Sequence, residues 1–140
     1  MENKLYFLLN QAQQKLYKEV DRESLAELGV TSAQAAALYH LQKRNGCLQA
    51  ELGKALGLGK AATSGMVVRL EKQGLIKRTP SPVDGRGQRV LITVDGLQVS
   101  VKARPLLNRM NKALEEGFNE KELDVVRRYL NSIVERLSSS

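Results

Sequence analysis

Few residues in this sequence are able to do covalent or metal chemistry. There is one histidine, His40, and one cysteine, Cys47. The acids that gather toward the end, Glu115, Glu116, Glu120, Glu122 and Asp124, fall on helix surfaces by their spacing. No nucleophile with a base, no carboxylate pair and no Cys/His metal set assembles from these parts, so the expectation is a protein that is not an enzyme and needs neither cofactor nor metal. What the sequence does concentrate is positive charge. Between Lys54 and Arg89 there are eight basic residues (Lys54, Lys60, Arg69, Lys72, Lys77, Arg78, Arg86 and Arg89) and two acids, Glu71 and Asp84, a balance of +6 in a chain whose total is +7. Charge of one sign gathered on a short stretch marks a surface that meets a polyanion, and nucleic acid is the expected one. Single-strand or RNA recognition leans on exposed aromatics, and none of the four Tyr and two Phe lies in the basic stretch.

The elements that must position this charge follow from periodicity and capping. Leu5, Leu8, Leu9, Ala12, Leu16 and Val20 fall at steps of three and four, predicting a first amphipathic helix that ends near Asp21 to Ser24. A second begins after Thr31, with Gln34 reaching back as a capping box, and ends at Asn45-Gly46. Cys47 to Gln49 allows only a stub of strand. Ala50 to Leu56 and Lys60 to Gln73 are two helices joined by a turn through Gly57-Leu58-Gly59, a helix-turn-helix. Leu75 to Thr79 and Gln88 to Val94 alternate as strands, with Pro80, Pro82, Gly85 and Gly87 between them as turn residues, so a hairpin follows as a wing. A long helix resumes after Asp95-Gly96 with Pro105 inside it, where a kink or break is expected. Asn119 and Glu122 form the start signal of a last helix, whose seam is Leu123, Val126, Leu130, Ile133 and Leu137. The fold class is mainly α with a small β-hairpin: a winged helix-turn-helix over 31–96, flanked by an N-terminal helix over 1–30 and C-terminal helices over 97–140. The first helix and the last seam carry more apolar side chain than one small lobe can cover, which predicts a homodimer.

Within the helix from Lys60, the residues Thr63, Met66, Val67 and Leu70 share the inner face. The opposite face starts small and ends basic: Lys60, Ala61, Ser64, Gly65, Val68 and Lys72, with Arg69 at its boundary. A helix seated in the major groove presents its N-terminal residues to base edges and uses flanking cations on phosphates. Ala61, Ala62 and Thr63 offer methyls to thymine, Ser64 a hydroxyl, Lys60 an ammonium, and Gly65 permits close approach. On the hairpin, Arg86 between two glycines suits a narrow minor groove, Arg89 adds charge, and Asp84 supports the wing by pairing with Arg86 or Arg69.

The segments Arg69-Leu70-Glu71-Lys72-Gln73-Gly74-Leu75-Ile76 and Asp84-Gly85-Arg86, with Val90, Ile92, Thr93 and Gly96 behind them, resemble the MarR family of bacterial transcription regulators. The resemblance covers nearly the whole chain and is most specific at the wing. It implies a homodimer built by the N- and C-terminal helices, recognition helices in the major groove and wing arginines in the minor groove. The sequence departs from the family pattern at Gly53, where alanine is common, at Gly65, where a larger polar or basic residue is common, and at Val68, where an acid is common. The resemblance also implies a response to a small phenolic or lipophilic effector, or to cysteine oxidation. The candidate residues for that role are Tyr17, Tyr39, His40 and Cys47.

The functional expectation is therefore a sequence-specific regulator, a repressor by its resemblance, acting as a homodimer on a pseudo-palindromic operator. The alternatives are a winged-helix protein interaction module with only non-specific DNA affinity, and a redox-responsive regulator acting through Cys47. No apolar run is long enough to span a membrane and no leader pattern opens the chain, so a cytoplasmic location is expected.

Overall fold

The computed structural model describes residues 3–81 and 87–137. The chain runs α1 (Leu5–Leu28), α2 (Ser32–Lys43), β1 (Cys47–Leu48), α3 (Gln49–Ala55), α4 (Lys60–Lys72), β2 (Ile76–Pro80), β3 (Gln88–Ile92), α5 (Val94–Glu115) and α6 (Glu120–Leu137). It divides into two compact units, Met1–Leu106 and Leu107–Ser140. The fold is mainly helical with one small antiparallel sheet in the order β1-β3-β2.

Helix α1 runs past the polar cluster at which the sequence placed its end. The reason lies in partners that are distant along the chain. Asp21 Oδ1 accepts from the Ser32 backbone N–H at 2.7 Å, and the Ser24 hydroxyl donates to the Val30 carbonyl at 2.6 Å. Both side chains bind the corner that follows instead of competing for the helix backbone, and the helix continues to a left-handed cap at Gly29. The start of α2 is as expected. Thr31 Oγ1 accepts from Gln34 N, while Gln34 Oε1 accepts from Thr31 N at 2.8 Å. It ends one to two residues early, at Lys43 with Arg44 as cap. Asn119 and Glu122 bond reciprocally at 2.9 Å and start α6.

The core of the first unit is Leu38 and Leu41 from α2, Leu52 from α3, Val67 and Leu70 from α4, Ile76 and Val90 from the sheet and Ala103 from α5. Strand β3 pairs Cys47↔Val90 on one side and Ile76↔Ile92 on the other. Pro80, expected in the turn, instead closes β2 opposite Gln88. It sits on an edge strand, where a missing N–H is tolerated. Val94, expected to extend the last strand, begins α5 and is 74% exposed. The Thr93 hydroxyl explains the switch: it accepts from Gly96 N at 3.1 Å and donates to the Gly74 carbonyl at 2.7 Å, capping α5 and tying it to the end of α4. Gly96 has no room for a side chain, because a β-carbon there would lie 2.1 Å from the Leu75 carbonyl oxygen. Helix α5 contains Pro105, which withholds one hydrogen bond from the Val101 carbonyl.

Candidate nucleic-acid interface

Helices α3 and α4 meet at Gly53 and Thr63. Thr63 is 3% exposed and its hydroxyl donates to the Gly59 carbonyl at 2.8 Å, pinning the first turn of α4 to the connecting turn. A β-carbon on Gly53 would lie 2.3 Å from that hydroxyl oxygen. The glycine where family members favour alanine thus has a local cause: this threonine occupies the space. It also corrects one expectation. Thr63 faces inward and offers no methyl to a groove.

Met66, Val67 and Leu70 are buried with Thr63, as the 3.6-residue period required. Lys60, Ala61, Ala62, Ser64, Arg69 and Lys72 are exposed, and Gly65 and Val68 half-exposed. The outer face of α4 is therefore short and uncharged in its first two turns beyond Lys60, and basic in its last. Gly65 is not demanded by packing, since an added β-carbon would meet only the Arg69 guanidinium at 3.5 Å.

Two contacts fix the C-terminal end of α4, and the sequence reading missed both. Gln73, the cap residue, accepts from the Gln34 side-chain amide at 2.9 Å and donates to the Gly29 carbonyl at 3.1 Å. An amide relay thus joins the ends of α1 and α4 to the start of α2. Glu71 receives the Arg78 guanidinium of β2 at 2.9 Å, which joins α4 to the wing. The Arg78 hydrogen bond holds the Glu71 carboxyl below the usual carboxylate range. Arg78 is thereby neutralised, so it does not add to the positive face. The capping box at Gln34 was visible in the sequence, but its second partner lies 39 residues away.

The wing residues Asp84, Gly85 and Arg86 lie outside the described residues. Arg89, expected among the DNA contacts, donates to the Gly46 carbonyl at 2.8 Å and lies beside Arg44 and Lys54. The effector candidates are spread out. Tyr17 on α1 is 52% exposed. Tyr39 stacks under the Lys43 ammonium, 4.8 Å from the ring centroid, and that lysine draws the phenol pKa down. His40 and Cys47 come together at one hollow. Cys47 is half-buried against the core, and burial followed by the nearby Glu51 pushes its thiol up, the opposite of what a reactive thiolate needs. Among the described residues no group of three or more His, Cys, Asp or Glu is placed to hold a metal ion. No described helix is long and apolar enough to cross a membrane.

A helix-turn-helix followed by an antiparallel wing defines the winged helix-turn-helix class. The family model described as MarR family matches residues 28–87, from the end of α1 into the wing. The organic hydroperoxide resistance transcriptional regulator of Bacillus subtilis is 32% identical over 103 residues, covering 74% of this chain and 69% of that protein. Among solved structures, a mutant of Escherichia coli MarR complexed with operator DNA superposes with a TM-score of 0.84 at 25% identity, covering 93% of each chain. The PcaV transcriptional regulator of Streptomyces coelicolor, in complex with its natural ligand, gives a TM-score of 0.79 at 27% identity, covering 94% of this chain and 89% of that one. The chain belongs to the MarR family of winged helix-turn-helix transcription regulators.

Proposed function

We propose that this protein is a sequence-specific repressor that binds double-stranded operator DNA as a homodimer and is released by a small effector. The observation that carries the reading is the division of α4. Its inner face is locked by Thr63, Met66, Val67 and Leu70, and its outer face offers small groups followed by cations. In this reading Lys60, Ala61, Ala62, Ser64 and Gly65 face base edges in the major groove. Arg69 and Lys72 meet phosphates, and Arg86 of the wing enters the minor groove. The likeness to a MarR structure that holds operator DNA supports this placement. With few long side chains on the reading face, affinity is largely electrostatic and specificity rests on short contacts and DNA shape.

Dimer formation has support in exposed apolar side chains that one copy leaves uncovered. Helix α1 exposes Leu5, Tyr6 and Phe7 at 57%, 75% and 45%, and α6 exposes Val126, Leu130 and Val134 at 45%, 44% and 66%. Release by a small effector is supported by the likeness to a regulator that holds its natural ligand. The redox alternative has no support in the Cys47 environment.

The test is selection of bound duplexes from a genomic fragment pool by the full chain at fixed salt. An enriched pseudo-palindrome is the expected result. Binding with no enriched sequence would overturn the regulator reading and leave an interaction module.

A further inference from the structure

An open hollow of about 590 Å³ lies on the first unit, built from three separate stretches of the chain. The end of α2 contributes His40 and Arg44, the turn and β1 contribute Asn45 to Cys47, α3 contributes Glu51 and Lys54, and β3 contributes Arg89. No residue of α4 lines the hollow, and on α3 it is Gly53, not Glu51 or Lys54, that faces Thr63 of the recognition helix. The hollow is therefore distinct from the base-reading face.

Its chemistry is one-sided. Arg44, Lys54 and Arg89 bring three positive charges against the single acid Glu51. Glu51 Oε1 accepts from the Leu48 N–H at 2.9 Å and caps the start of α3, and its charge still leaves the cations in excess. Arg89 is held by its bond to the Gly46 carbonyl, which orients a guanidinium that has further N–H groups to donate. The Asn45 side-chain oxygen accepts from Ile92 N at 2.9 Å, leaving its amide N–H groups as the donating end. The side chains of Arg44 and Lys54 make no hydrogen bond or ion pair among the described residues. The C-terminal dipole of α2 accounts for a cation at Arg44, but not for Lys54 and Arg89, which come from other elements. Cys47, with its thiol held neutral by burial, adds no opposing charge.

We propose that this hollow is an anion-binding site that takes a phosphate or carboxylate group, with Arg44 and Lys54 as the charges that capture it and Arg89 and Asn45 as fixed donors. Like charges from separate elements repel unless an anion sits between them, and a guanidinium fork suits an oxyanion. The group belongs either to the DNA backbone or to a small free anion. The DNA source rests on the proposed DNA binding; the anion chemistry does not.

The experiment titrates the full chain, without DNA, with inorganic phosphate and separately with benzoate, following the amide resonances of Asn45, Gly46 and Cys47. Chloride at matched ionic strength is the control. Saturable shifts with phosphate or benzoate are expected, and Arg44→Gln/Lys54→Gln should weaken them at least tenfold while leaving the melting temperature unchanged, both residues being exposed. The second arm measures the salt dependence of binding to a selected duplex. A slope reduced by about one for each cation removed identifies a DNA phosphate as the source. An unchanged slope with intact small-anion shifts identifies a free anion. No saturable shift with either anion, together with an unchanged slope, overturns the proposal. If the parent protein selected no DNA at all, the functional reading would fall while the titration still decided the site.

Discussion

Gly53 and Thr63 act as one unit. Alanine at 53 would put its methyl 2.3 Å from a hydroxyl that is itself engaged with the Gly59 carbonyl, so the neighbour cannot swing away without losing that bond. Gly53→Ala is expected to destabilise the protein by about 1–3 kcal/mol, in the range of overpacked cores. Thr63→Ala in the same chain should recover part of that loss, a coupling read by a double-mutant cycle in denaturant. Additive losses would mean that the two residues do not share the space. The sequence showed that Gly53 departs from its family but not why, because the cause sits ten positions further on and on another helix. Periodicity puts Thr63 on the inner face of α4 and its place in the first turn suggests a base contact, and its burial decides for the inner face.

The elements were legible where their signals are local. The boxes at Thr31/Gln34 and Asn119/Glu122 depend on side chains three residues apart, and both form. The inner face of α4 follows from its period. The start of α5 was misplaced although Thr93 caps it locally on Gly96 N, because the alternation of Val90, Ile92 and Val94 points to strand; the end of α1 was misplaced because Asp21 and Ser24 are satisfied by partners across a corner. The contacts that hold α4 against the wing were invisible for the same reason. The Glu71–Arg78 pair gives a prediction with a sign. Its carboxyl titrates lower in the folded chain than in the unfolded one, so the pair's contribution is fully present above the ordinary glutamate value of about 4.3 and drains away as the pH falls below it. Glu71→Gln should therefore lower stability at neutral pH and converge with the parent in acid. Parallel curves for the two proteins across that range, in thermal melts at stepped pH, would contradict the pairing. The wing itself is tested by Arg86→Ala, which should weaken DNA binding and reduce the salt slope by about one unit. Unchanged slope and affinity would remove the wing arginine from the mechanism.

At the scale of the whole molecule, the basic stretch seen in the sequence separates into distinct roles. Arg78 is tied to Glu71. Lys54 and Arg89 join Arg44 at the hollow. Lys60, Arg69 and Lys72 remain on α4, the helix proposed to enter the major groove. The sequence could show the total charge but not this partition, since charge counts along the chain carry no direction in space. The apolar side chains exposed on α1 and on α6 give the other large-scale feature. A second copy is proposed to cover them, which would present two recognition helices to one duplex. The most direct measurement is hydroxyl-radical footprinting of a selected duplex, with the stoichiometry of the same complex taken by sedimentation. The account predicts two chains per duplex and two symmetry-related protected sites about one turn, roughly 10 base pairs, apart. One chain per duplex, or protection without two-fold symmetry, would contradict it.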